Sequence, residues 1–433
     1  MNDRPISLLC IVSKLLEKLL YHQLYDHLES ILSSHQSRFR QKDGNQFQLI
    51  RLVQHWSEAI DAFQYVGVIF FDLQKAFDCV WCKELLAKLE SAGVKGQALN
   101  WLANFLHDRQ QQVRVGNCLS YVMPLHAGVQ QGAVLSPLLF LLCVNDATSA
   151  PVDASVNLFA DDTSIFMCDK CPNHLVQRMQ AAVDNMPSWF CRLLLTVNTS
   201  KSCLKILQTR GMAPIVASVN MNDQPLSQVE THKHLGVMFH HLSWSDHVAL
   251  IADRASSKLG LLYRLHRSLP HLTIHKISMT CIRPSLEYAA VAWSVLSTGD
   301  AARLESVQRH APRRSSGLPR SSNPPHDILL ARAGLSSLGS HRRGFLGRFA
   351  AQCMHHCVPS HIKDNFPSSF DAEKPARCQP LRNSSNIRLP RAKKSLMRKP
   401  SMYLSFSEWN SLPASLSLSS FAANASFLKD TFS

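Results

Sequence analysis

The chain has 433 residues, 45% hydrophobic and 18% charged, enough for two or three domains with a sizeable core and too apolar for an intrinsically disordered protein. Its formal net charge is +15, and residues 301–433 hold 20 of the 46 Lys and Arg but only 7 of the 31 Asp and Glu, so the basic surplus sits in the last third. Thirteen cysteines, an odd number thinly spread, exclude a disulfide scaffold and point to a reducing, intracellular setting, while the longest apolar run, GAVLSPLLFLLCV at 132–144, falls short of the ~20 residues that span a bilayer.

The first predicted element is a helix over 6–29, whose apolar residues recur at helical spacing with Lys and Glu opposite. No charged segment followed by an apolar run opens the chain, so no secretory leader is read. VGVIFFDL (66–73) is nearly unbroken and β-rich, the pattern of a buried strand. Two helices follow over 82–94 and 97–109, then a hairpin over 111–125 turning at Val-Gly-Asn. Ser-Pro opens a helix over 136–148. VNLFA and TSIFM flank Asp161 and Asp162 as strands of a tight hairpin, and a helix follows over 174–194. Beyond about residue 300 Arg, Ser and Pro rise and periodicity fades, which places a boundary near 300–320 and a Pro/Ser-rich linker around 355–400.

Two adjacent aspartates at a turn are ordinarily solvated turn residues. Asp72, closing the buried strand upstream, alters their meaning. If the two β segments pair in one sheet, Asp72 comes opposite Asp161. Three convergent carboxylates repel one another unless cations neutralise them. Oxygen-only ligands suit Mg²⁺, and also Mn²⁺. A pair of such ions drives in-line phosphoryl transfer.

FFDLQKAFDCVW (70–81), GVQQGAVLSPLLF (128–140) and FADD (159–162), in that order and spacing, resemble the reverse transcriptases of non-LTR, LINE-like retrotransposons of the jockey and CR1 branches. RPISLLCIVSKLLEKLL (4–20) and QSRFRQKDGNQ (36–46) are similar to the family's fingers blocks. LLLTVNTSKS (193–202) is similar to the block after the catalytic hairpin, and HLGVMFHHLSWSDHV (234–248) to the primer-grip region. IRPSLEYAAVAWS (282–294), LESVQRHAPR (304–313) and SEWNSLPASL (407–416) are similar to thumb and C-terminal segments. The resemblance implies an α+β right-hand polymerase: partial fingers and palm at 1–230, a helical thumb at 231–320 and a basic C-terminal region at 321–433.

The implied activity is RNA-directed DNA polymerisation. An RNA template, a DNA primer and deoxynucleoside triphosphates would be its partners, with no membrane involved. Asp72 and Asp161 are the implied ligands of two Mg²⁺ ions, with Asp162 the looser third carboxylate. Leu73 falls at the nucleotide site, its backbone carbonyl near a metal. Phe77 falls at the steric gate that excludes a ribose 2′-hydroxyl; outside that context it would be an ordinary core aromatic. Gln131 and Gly132 fall at the nucleotide-binding turn, where Gly lets the backbone approach a ligand. Arg40 falls in the segment that meets the triphosphate, whose oxygens suit a guanidinium fork. Lys201 is the candidate proton donor to pyrophosphate, and otherwise a solvated lysine.

The chain departs from the family pattern where Arg38 replaces Gly and Gln130 replaces Pro. Only Met1-Asn2-Asp3 precedes the first block, so an upstream endonuclease is expected to be missing. These features keep a second reading open, that of an inactive relic that only binds nucleic acid. Two Cys-x-x-Cys pairs (79–82 and 168–171) lack the βαβ setting of a redox motif. Cys353, His355, His356, Cys357 and His361 could supply four zinc ligands, but their spacing matches no zinc knuckle. The basic segment at 377–399 reads as a surface for a phosphate backbone or as a loosely folded tail.

Overall fold

A computed structural model describes residues 6–149, 153–209, 211–265, 268–315, 325–354, 357–363 and the isolated positions 404, 405 and 407. The basic segment 377–399 and the 407–416 block, apart from residue 407, lie outside the described residues. The chain forms two compact units, one of residues 1–44 and 63–229, the other of 45–62 and 230–433.

The first unit is built on a five-stranded sheet. Its strands are β1 (Tyr65–Phe71), β2 (Ser155–Phe159), β3 (Asp162–Asp169), β4 (Cys203–Leu207) and β5 (Ser227–Gln228), in the order β5-β4-β1-β3-β2. Every pairing is antiparallel except β4 with β5. All seven residues of β1 are buried, which explains why its sequence is an unbroken apolar run rather than an alternating one.

The first unit also holds five helices, α1 (Ile11–Leu28), α3 (Cys82–Ser91), α4 (Gly96–Leu106), α5 (Ser136–Cys143) and α6 (Pro172–Arg192), while α2 (Asn45–Asp61) belongs to the second unit. On α6, Leu175, Met179, Ala182, Val183, Met186 and Phe190 are buried at helical spacing. Gly67 lets this helix lie directly on β1, because a Cβ there would come within 2.4 Å of Met179 Sδ. α5 is buried at every residue but Pro137, which sits in its first turn, the pattern of an internal helix. The segment 111–125 forms a hairpin whose tip pairs Val115 with Cys118 around Gly116 at φ 61°.

In the second unit α2 stands beside a short hairpin of β6 (His232–His234) and β7 (Val237–Phe239). Trp56 of α2 meets Phe239 edge-on at 5.2 Å, and Phe47 lies 6.1 Å from Phe349. The remaining helices are α7 (Ser245–Leu265), α8 (His271–Ile277), α9 (Arg283–Glu287), α10 (Thr298–Ser315), α11 (His326–Arg332), α12 (Leu338–Met354) and α13 (Ser360–Lys363). Among the described residues no helix is long and apolar enough to cross a membrane.

Candidate active site

The β1–β3 ladder ends at the pair Phe71↔Thr163, so Asp72 emerges beside the turn joining β2 to β3. That turn has two residues, Ala160 and Asp161, between the pair Phe159↔Asp162. Ala160 adopts φ 55°, a conformation that costs a non-Gly residue about 1 kcal/mol and that clusters at functional sites. Buried Gln36 supports the turn: its side-chain oxygen accepts from the Ala160 N–H at 3.1 Å. The backbone of Asp72 is fixed on both sides. Its N–H donates to Ser202 Oγ (3.1 Å), and its carbonyl accepts from the Asn198 N–H (2.7 Å).

Asp72 and Asp161 line one pocket of about 260 Å³, together with Leu73, Gln74, Lys75, Ala76, Phe77, Asp78, Gln131, Asn198 and Lys201. Lys201 Nζ is 3.9 Å from Asp72 Oδ2, both side chains being nearly half exposed. Phe77 is half-buried and stacks on Phe140, ring centres 4.3 Å apart and 16° from parallel. Gln131 reaches the pocket because its loop is fastened to the 77–80 turn. Val129 N–H donates to the Phe77 carbonyl (2.7 Å) and Gly128 N–H to the Val80 carbonyl (2.8 Å). Gln131 Nε2 then donates to Asp78 Oδ1 at 3.0 Å.

Six of the nine expected site residues therefore line this pocket: Asp72, Leu73, Phe77, Gln131, Asp161 and Lys201. Three do not. Asp162 begins β3 as an exposed residue; neighbours on a strand face opposite ways, so it does not follow Asp161 inward. Gly132 is exposed and does not line the pocket; it adopts φ 111°, and a Cβ there would come 3.0 Å from the Ser7 carbonyl oxygen. Arg40 is held elsewhere. Its guanidinium pairs with Glu29 at 2.7 Å and donates to the carbonyls of Ser33 (2.7 Å), Glu29 (3.3 Å) and Leu32 (3.4 Å). In this structure the Arg40 guanidinium orders the chain around it and does not line the pocket.

Sequence reasoning missed Asp78 and gave Asn198 no role. Asp78 is six residues beyond Asp72 in FDLQKAFD, and a second acid so close to the first was the available signal. Among the described residues no group of three or more His, Cys, Asp or Glu side chains assembles as a metal site. The pocket's lining nonetheless includes three carboxylates, Asp72, Asp78 and Asp161, hard oxygen donors that fit a hard divalent cation. The cysteines fit no such role. Burial pushes the Cys79 thiol up, with Asp78 adding to it, and burial pushes Cys168 up to about 11. Burial also raises Cys353, whereas His355 and His356 lie outside the described residues.

A family profile described as reverse transcriptase (RNA-dependent DNA polymerase) matches residues 2–239. The probable RNA-directed DNA polymerase from transposon BS of Drosophila melanogaster is 29% identical over 73% of this chain and 36% of its own length. The RNA-directed DNA polymerase from mobile element jockey of Drosophila funebris is 26% identical over the same shares. The chain thus spans about a third of the length of these curated relatives. Among solved structures, telomerase from Candida albicans with a fragment of telomeric RNA aligns at a TM-score of 0.39 and 11% identity, over 76% of this chain and 59% of the other.

Proposed function

The chain belongs to the reverse transcriptase (RNA-dependent DNA polymerase) family, and from that premise we propose that it extends a primer 3′-end with deoxynucleotides on an RNA template. Its fold is the α+β right-hand polymerase class. In this reading the first unit supplies partial fingers and palm, and helices of the second supply the thumb. The observation that carries the reading is the shared pocket of Asp72 and Asp161, walled by Phe77, Gln131 and Lys201.

Asp72 and Asp161, with the Leu73 carbonyl, would hold two Mg²⁺ or Mn²⁺ ions, which when bound would acidify the primer hydroxyl and neutralise the triphosphate. The chain's own groups do the rest. Phe77 occupies the space a ribose 2′-hydroxyl would need. Gln131, fixed by Asp78, presents an amide to the incoming nucleotide. Lys201 delivers a proton to the departing pyrophosphate. The basic third of the sequence contributes sequence-independent attraction for phosphate backbones. The reducing, intracellular setting inferred from the cysteines suits such a chemistry.

The test is Mg²⁺-dependent extension of an RNA-templated primer. Asp161→Asn and Asp72→Asn should each lower the rate by ~10³-fold or more with unchanged circular dichroism. Equal activity in wild type and both variants would end the proposal. A wild type that binds the primer–template but never extends it would leave the relic reading in its place.

A further inference from the structure

The loop that carries Gln131 into the pocket is tethered by the N-terminal segment, and one tether is a buried acid. Glu17 of α1 is 1% exposed. Its Oε2 accepts from the N–H groups of Val134 (2.7 Å) and Leu135 (3.1 Å), and Ser13 Oγ lies 3.4 Å from its other oxygen. A carboxylate is costly to bury unless such donors compensate it. In return it satisfies the amide of Leu135, the N-cap of α5, and that of Val134 just before it, and its charge complements the positive end of that helix. A second tether acts three residues earlier in the loop, where the Ser7 N–H donates to the Gln131 carbonyl at 2.8 Å. The two approach closely: a Cβ on Gly132 would come 3.0 Å from the Ser7 carbonyl oxygen, at a φ of 111° that a side chain disfavours.

We infer that Glu17 is a positioning residue for the nucleotide pocket: it fixes the 131–135 loop so that Gln131 meets Asp78 and faces the substrate. The inference deepens the polymerase reading and rests on it for its kinetic part. Glu17 touches no reacting atom. Its effect belongs in the binding of the incoming nucleotide, since the loop carries a pocket wall and none of the carboxylates.

Two readouts separate this role from a merely structural one. In hydrogen–deuterium exchange on the full chain, Glu17→Ala should accelerate exchange across 131–135 by ~10-fold or more while β1 stays protected, as expected for lost charge-assisted hydrogen bonds. Glu17→Gln keeps an acceptor oxygen and should remain within ~3-fold of wild type. In primer extension, Glu17→Ala should raise the KM for deoxynucleotide by ~10-fold with kcat within ~3-fold, and Glu17→Gln should restore most of it. Unchanged exchange at 131–135 overturns the inference, as does a fall in kcat with KM unmoved. Should Glu17→Ala fail to fold, Ser7→Pro removes the second tether at a half-exposed residue and is expected to produce the same KM rise and the same loosening. If wild type extends no primer, the polymerase reading falls, and the exchange result alone still decides whether Glu17 holds the loop.

Discussion

Phe77 is shared between the core and the pocket. Its ring rests flat on Phe140 and its remaining surface lines the cavity beside Asp72. Both the core-packing and the gate explanations of an aromatic in KAFD thus describe part of it, and substitution separates them. Phe77→Ala should cost about 2 kcal/mol, less than the ~3–5 of a fully buried Phe, because only part of the ring is buried. If the ring also gates the sugar, the ratio of kcat/KM for deoxy- over ribonucleotides should fall ~10-fold or more in the same variant. An unaltered ratio with the same stability loss would leave Phe77 as packing alone. Lys201 makes the opposite case. Its ion pair with Asp72 is long and nearly half exposed, a geometry worth little to folding, so Lys201→Met should leave stability almost unchanged while slowing extension.

The elements that frame the pocket were legible in the sequence where the pattern was set by neighbours along the chain. An unbroken VGVIFF reads as a strand buried on both faces, and it is one. The paired aspartates between VNLFA and TSIFM read as a tight hairpin, and a two-residue turn is found there. What escaped depends on partners that a regular helix or strand spacing does not pick out. Arg40 pairs with Glu29 and three carbonyls 7 to 11 residues earlier, in an irregular stretch of chain. α2 buries Gln48, Arg51 and Ser57 alongside Leu49 and Trp56, so its face carries polar residues where an amphipathic pattern expects apolar ones. The 126–132 loop is similar: Gly128 sits at φ 88°, where a Cβ would lie 2.6 Å from the Asp78 carbonyl oxygen. Because the obstacle is backbone, nothing flexible can yield. Gly128→Ala should destabilise the first unit by more than about 2 kcal/mol, combining the positive-φ cost with overpacking. Chemical denaturation would measure this, and a loss below ~0.5 kcal/mol would mean that the loop and the 77–80 turn move apart freely.

The two units should respond to acid over different ranges, because a different kind of titratable group is shifted in each. In the second unit burial lowers His234 to about 3, with His232 adding to it, and lowers His247 to about 4, with Arg342, Arg254 and Lys233 adding to it. Burial also lowers His55 against the opposing pull of Glu58. Their unfolded values lie near 6.5. Above that pH neither state binds the proton and the full stability is present. From about 6.5 down to about 4 for His247 and about 3 for His234, the unfolded chain takes up protons that the folded unit refuses, so stability falls as pH falls. For His247 the loss is on the order of 3 kcal/mol. In the first unit the shifted acid is Asp169, where burial pulls upward but the Cys171 amide, His174 and Arg178 together hold it below the ordinary range. Its contribution survives through the His247 window and is lost only as pH drops through its depressed value, below about 4. His247 packs edge-on against Trp293 at 4.8 Å, so tryptophan fluorescence during denaturation should register the loss in the second unit near pH 5 while far-UV signal from the first persists. His247→Gln, which cannot titrate, should flatten the fluorescence-detected slope between pH 6.5 and 4. A slope as steep as wild type's would assign the acid sensitivity to other groups.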